Sequence, residues 1–239
     1  MQLSIRYRIS GKRIIVLPRI LNHPFTCIHS RLTIHDSRFT THYSPLTCVP
    51  YIRTINMDKP STYCDAVRQM EPGNVHVHYH DKEYGFPIHD DNELFARLIL
   101  EINQAGLSWT TILNKKENFF KAFDNFQIEK VAAYRAKKIE SLLQDAGIIR
   151  NRLKIEATIE NAKRIRKIQK EFGSFKKWLD HHHPKTKEEW VKLFKEHFRF
   201  TGGEIVNEFL LSTGYLPGAH IQTCPTYQMV LKKKPAWNK

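Results

Sequence analysis

From about residue 60 onward, apolar positions recur every three to four residues, the spacing that turns one face of a helix toward a core. Leu94, Phe95, Leu98, Ile99, Ile102 and Ala105 form one such series, and Asp90, Asp91 and Asn92 supply capping side chains just before it. Further helices are predicted over residues 110–123, 128–135, 137–144, 174–180, 187–197 and 203–212. A long amphipathic helix carries Ile155, Ile159, Ala162, Ile165 and Ile168 on one face, with Lys154, Lys163, Arg164, Lys167 and Lys170 around the other. Lys115, Lys116 and Glu117 are expected on an exposed face. Strand-like alternation is scarce, residues 75–80 being its main instance. The predicted fold class is all-α, without internal repeats.

One stretch of this pattern carries chemistry. Residues 100–109 read Leu-Glu-Ile-Asn-Gln-Ala-Gly-Leu-Ser-Trp. Glu101 falls on the side of Leu94, Leu98 and Ala105, at the margin of the buried stripe, where a carboxylate can enter a pocket wall. Trp109 follows a glycine turn. A carboxylate close to an indole face suits a positively charged aromatic ligand, because one supplies charge and the other stacking and cation–π attraction.

Residues 1–56 behave differently. They lack helical periodicity, contain Pro18, Pro24, Pro45 and Pro50, and hold eight Lys/Arg against one acid, Asp36. They read as a disordered basic arm, a targeting peptide, or sequence upstream of the true start at Met57; we favour the last. The helical domain is assigned to 57–230, followed by a basic, disordered tail over 231–239. The net charge of +14 points to a polyanionic partner. No apolar run reaches membrane-spanning length. Cys27, Cys48, Cys64 and Cys224 lack disulfide-scaffold spacing, which favours a reducing, cytoplasmic setting.

Two further constellations stand out. Residues 142–149, Leu-Leu-Gln-Asp-Ala-Gly-Ile-Ile, read as a helix, a glycine turn and a new helix. Gly147 permits positive φ and close approach, so backbone N–H groups there can face a phosphate, with Arg150 and Arg152 alongside. Cys64 and His80 near the domain's start and His220-x-x-x-Cys224 near its end offer the donors of a tetrahedral zinc site. His76, His78 and His80 alternate, so spacing alone leaves open which one is the ligand. His181, His182 and His183 read as a solvated helix end.

These residues together identify a family. Residues 63–227 resemble DNA-3-methyladenine glycosylase I, of the helix-hairpin-helix glycosylases. The resemblance rests on Tyr79-His80-Asp81-x-Glu83-Tyr84-Gly85, Gln104-Ala105-Gly106-Leu107-Ser108-Trp109, Lys116-x-Asn118-Phe119, Gln144-Asp145-Ala146-Gly147-Ile148-Ile149-Arg150, Phe200-x-Gly202 and the His220/Cys224 pair. It implies one structural zinc ion held by Cys64, His80, His220 and Cys224, which selects His80 among its neighbours. It implies Glu101 as the catalytic and base-recognition carboxylate, with Tyr79 and Trp109 sandwiching an extruded base. Gly106 and Leu107 correspond to the loop inserted into the DNA gap, and Ala146, Gly147, Ile148 and Arg150 to the phosphate-facing hairpin. The implied reaction is hydrolytic release of 3-methyladenine from double-stranded DNA by a monomer, without strand cleavage. Two departures are Ala66, where the family has tryptophan, and Tyr84, also a family tryptophan; the first is expected to loosen a pocket wall. The competing readings are a zinc-stabilised DNA-binding module without chemistry and a small-molecule enzyme with a structural zinc.

Overall fold

A computed structural model describes the backbone of Ile5–Ile9 and Lys12–Val16 and all of residues 60–239. The chain divides into two units, Met1–Thr54 and Ile55–Lys239. In the first, strand β1 (Ile5–Ile9) pairs antiparallel with β2 (Lys12–Val16), Ile5 opposite Val16 and Ile9 opposite Lys12. The sequence Ile-Arg-Tyr-Arg-Ile of β1 has the alternation of period two that favours a strand. The expectations of a disordered arm and of a start at Met57 lie outside the described residues.

The second unit is helical. It contains α1 (Tyr63–Arg68), α2 (Val75–Lys82), α3 (Asp91–Gln104), α4 (Trp109–Ala122), α5 (Ile128–Ala132), α6 (Ala136–Gln144), α7 (Arg152–Phe172), α8 (Phe175–His182), α9 (Lys187–His197), α10 (Gly203–Ser212) and α11 (Pro225–Lys232). The predicted helices form close to their expected limits. Residues 75–80 instead belong to helix α2, where Asn74 caps the first turn by accepting from the His76 N–H at 2.9 Å. Their alternation therefore reflects composition and not a pleated backbone. Helices α1 and α11 are too short and mixed to leave a clear periodic signal.

α3 runs through the core. Asp90 caps it, accepting from the Glu93 N–H at 3.0 Å, and every residue from Leu94 to Asn103 is buried. Ala105 lies beyond its end and is exposed, so it does not belong to the apolar stripe. α7 presents Ile155, Ile159, Ala162, Ile165 and Ile168 to the same core, which also takes in Trp178, Trp190, Phe194 and Phe209. Burying this much apolar surface is the main source of stability.

The C-terminal residues are packed too, contrary to the expected disordered tail. The Trp237 indole stacks on Tyr227 at a centroid separation of 6.2 Å, and the Trp237 backbone N–H donates to the Gly214 carbonyl at 3.4 Å. The apolar Pro-Ala-Trp segment after the lysines supplies the contacts that an all-lysine end lacks.

Candidate active site

A cavity of about 430 Å³ opens where α1, α2, α3, α4 and α10 meet. Its lining comprises Tyr63, His76, Tyr79, Tyr84, Glu101, Gln104, Trp109 and Glu208. Two carboxyl groups face it, and none of its lining residues is Lys or Arg.

Glu101, in the last turns of α3, is 4% exposed and has no hydrogen-bond partner among the described residues. Burial pushes its carboxyl up to about 8. The Arg97 guanidinium pulls the other way, and Glu208 adds a smaller upward push. At pH 7 the protein's own groups therefore favour the acid form. The ionised Glu101 expected from sequence requires a positive ligand to supply the counter-charge.

Tyr79 and Trp109 are both present, but their rings touch edge to face, centroids 5.2 Å apart and planes at 62°. That contact leaves no room for a third ring between them. Tyr79 is the inner ring, buried, with Arg97 5.1 Å from its centroid. Trp109 is the outer one, at the first turn of α4, and its indole N–H is buried without a partner. A base held between the two faces requires Trp109 to swing outward.

Behind Tyr79 lies an ion cluster that the sequence patterning missed. Arg97 donates to the Tyr79 hydroxyl at 3.3 Å and to Glu83 Oε2 at 3.1 Å, while Lys116 contacts both Glu83 oxygens at 2.6 Å. Lys116 is thus half-buried rather than part of an exposed face. On another side, the Tyr63 hydroxyl and His76 Nδ1 are hydrogen-bonded at 3.0 Å, and His76 Nε2 lies 2.8 Å from the Thr110 hydroxyl. Burial depresses the His76 imidazole, keeping it neutral. The α1 residue in the cavity wall is Tyr63, not Ala66, and its ring meets His76, His80 and Tyr84 edge to face. An aromatic therefore closes the wall that the loss of tryptophan at 66 was expected to open.

Next to the cavity, Cys64, His80, His220 and Cys224 converge, all buried, with their donor atoms within 4.8 Å of one another. His80 Nε2 lies 3.3 Å from Cys64 Sγ and 3.2 Å from His220 Nδ1; Cys224 Sγ lies 3.7 Å and 3.9 Å from the same two nitrogens. Donors around a tetrahedral zinc ion stand roughly 3.3–3.8 Å apart, given its bond lengths. The remaining ring nitrogens are oriented outward. His80 Nδ1 donates to Asp81 at 2.7 Å, and His220 Nε2 to the Tyr84 carbonyl at 2.7 Å. That leaves one lone pair on each imidazole aimed at the thiols, the arrangement a metal ion requires. His76 and His78 are not in the cluster. Gly85 makes this packing possible: its φ is +81°, and a Cβ there would sit 2.8 Å from Ala219 Cβ and 3.3 Å from His220 Cδ2.

Two exposed turns flank this region. At the end of α3, Gly106 takes φ +82° and Leu107 is 39% exposed. Lys154 of α7 reaches across to donate to the Asn103 and Ala105 carbonyls, each at 2.9 Å, so it pins this turn instead of lying on a solvated face. The second turn joins α6 to α7. Gly147 does not use positive φ there; it is glycine because a Cβ would meet Asp145 Oδ1 at 2.9 Å and Asn118 Cβ at 3.1 Å. Its N–H donates to Asp145 at 2.7 Å, and Lys115 fastens the turn through the Ala146 carbonyl at 2.8 Å. Ala146 and Arg150 are exposed, but the Ile148 side chain is 3% exposed and belongs to the core.

Residues 69–228 match the methyladenine glycosylase family. The chain is 36% identical over 171 residues to the DNA-3-methyladenine glycosylase of Haemophilus influenzae, spanning 64% of this chain and 92% of that protein. It is 35% identical over 172 residues to DNA-3-methyladenine glycosylase 1 of Escherichia coli, spanning 64% and 91%. A solved 3-methyladenine DNA glycosylase I, a tyrosine-to-phenylalanine variant in complex with 3-methyladenine, superposes with a TM-score of 0.61 at 34% identity, covering 67% of this chain and 95% of that one.

The chain belongs to the methyladenine glycosylase family.

As a methyladenine glycosylase, it brings Tyr79, Glu101 and Trp109 onto one cavity and gathers the four candidate metal ligands at one point. The family match begins after α1, so Cys64 and Tyr63 lie outside it while completing the cluster and the cavity. Sequence patterning passed over Glu208, because its position on α10 carries no motif.

Proposed function

We propose that this chain is a DNA glycosylase of base-excision repair, which extrudes 3-methyladenine from alkylated double-stranded DNA and releases it by hydrolysis. The observation that carries this reading is a cation-free aromatic cavity, walled by Glu101, inside a protein of net charge +14. A basic exterior draws in DNA, and an acidic cavity selects a base that is itself positive.

In this reading the target leaves the stack, at a cost of a few kcal/mol that damage reduces. The methylated adenine brings a delocalised positive charge to Glu101, favouring its ionised form, and hydrogen-bonds to it while stacking on Trp109. Normal adenine is neutral and gains far less. Methylation has already made the base a good leaving group. The C1′–N9 bond breaks with its electron pair going to the base, which departs neutral. Water adds at C1′ and loses a proton to solvent, giving an abasic site. No cavity-lining residue is a lysine, so a Schiff base and strand cleavage are not part of the reading.

Cys64, His80, His220 and Cys224 would hold a single zinc ion, whose role is to tie α1 to the segment before α11; four protein donors complete a structural, tetrahedral site. Gly106 and Leu107 would enter the DNA gap, and the backbone at Ala146, Gly147 and Ile148, with Arg150, would meet phosphates. The Ala146 N–H has no partner among the described residues, which suits that role. We place the enzyme in the cytoplasm, acting as a monomer.

The test is incubation of the full-length chain with methylated duplex DNA and chromatography of the released bases. Free 3-methyladenine with intact strands is expected. DNA binding without base release would sink the reading in favour of a binding module.

A further inference from the structure

Glu208 lines the cavity alongside Glu101 but comes from α10, a different element. It is half-buried, and each of its oxygens is held by a side chain. The Tyr84 hydroxyl donates to Oε2 at 3.2 Å, and Asn207 Nδ2 to Oε1 at 3.4 Å. Tyr84 is the residue that replaces a tryptophan of the family pattern. The phenol creates a link between the α2 side of the cavity and α10.

These two hydrogen bonds hold the carboxylate but bring it no cation. No Lys or Arg pairs with it within hydrogen-bonding distance among the described residues, unlike Glu83, which is clasped by Arg97 and Lys116. Two acids sharing a cavity of low polarity raise each other's cost of ionisation. Two further groups in the same wall lack partners: the Glu101 carboxyl, 4% exposed, and the buried Trp109 N–H. Carboxyl groups aimed into one enclosure without internal cations fit an occupant that brings positive charge and N–H donors on more than one edge.

We propose that Glu208 is a second base-reading residue, so that this cavity recognises a cationic N-alkylated purine with two carboxylates from two helices. The inference rests on the glycosylase reading above and adds a specificity determinant to it. Tyr84 acts through Glu208 as a positioning residue, holding the carboxylate toward the cavity.

The test compares full-length wild type, Glu208→Gln and Tyr84→Phe on duplex DNA carrying 3-methyladenine. Single-turnover base release is measured beside binding of a duplex containing an abasic site, where no base occupies the cavity. Glu208→Gln should slow release by about tenfold, equivalent to about 1.4 kcal/mol, with abasic-site binding within twofold of wild type. Tyr84→Phe, which keeps the carboxylate, should slow it less. Wild-type release by Glu208→Gln overturns the proposal, as does a parallel loss of abasic-site binding, which marks a merely structural residue. Absence of release by the wild type instead fails the glycosylase reading itself.

Discussion

Arg97 lies beneath the Tyr79 ring, its guanidinium carbon 5.1 Å from the centroid, and reaches past it to the tyrosine hydroxyl at 3.3 Å. One buried cation thus supports the cavity floor and also moderates the Glu101 carboxyl. Replacing it by methionine, Arg97→Met, keeps bulk but leaves Glu83 with Lys116 alone. Removing one member of a buried ion cluster costs about 3 kcal/mol. Urea unfolding should show that loss, and Glu101 should become still harder to ionise.

Glu101 gives the fold a pH dependence of known sign. Its folded value of about 8 exceeds the ordinary 4.5, so the native state holds a proton that the unfolded state has released. Stability therefore falls as pH rises from about 4.5 through 8. Glu101→Gln removes that penalty. The variant should be more stable than wild type at pH 9, by on the order of 5 kcal/mol, and indistinguishable at pH 4. Parallel denaturation curves at the two pH values check it, and a constant difference would refute it.

Cavity occupation and ionisation of Glu101 are coupled by the same argument. Below pH 8, entry of a positive base displaces the carboxyl proton. Calorimetric titrations of lesion-bearing duplex in buffers of different ionisation enthalpy should report up to one proton released per site at pH 7, and none in Glu101→Gln.

The metal cluster predicts one zinc ion per chain. Cys224→Ala should abolish its retention and lower stability by more than about 3 kcal/mol, because α1 and the loop before α11 lose their common anchor. Metal content by elemental analysis and a thermal melt measure both consequences.

Gly85 packs against the segment that carries His220, with no space for a Cβ. Gly85→Ala forces a methyl group to 2.8 Å from Ala219 Cβ at a φ that L residues avoid. A loss of about 2–4 kcal/mol is expected, together with weaker zinc retention, since His220 is the other neighbour displaced.

Much of this was legible in the sequence because it depends on local spacing. The caps and the α3 stripe follow from period and side-chain type, whereas the four-donor set needed the family resemblance to choose His80 over His76 and His78. What escaped depends on pairings distant in sequence. Glu208 meets Tyr84 124 positions away, and Lys154 meets Asn103 51 positions away. No helical period marks such a partner. The sandwich implied by the resemblance names Tyr79 and Trp109, which do share one cavity, but it carries no information on the 62° angle between their rings without a base. At Gly147 the expected positive φ is absent, and the glycine is required instead by the contacts that a Cβ there would make with Asp145 and Asn118.

The inward-turned cations change what the chain's charge means for DNA. Lys115, Lys116, Lys154 and Arg97 satisfy carbonyls and a carboxylate within the fold, and Arg152 is paired with Glu140. Each is counted in the formal +14, but a cation already bonded in this way displaces few counterions from a duplex. The slope of log affinity against log salt should therefore report far fewer phosphate contacts than the net charge suggests. Arg150, exposed beside the α6–α7 turn, is the residue whose removal should flatten that slope by about one.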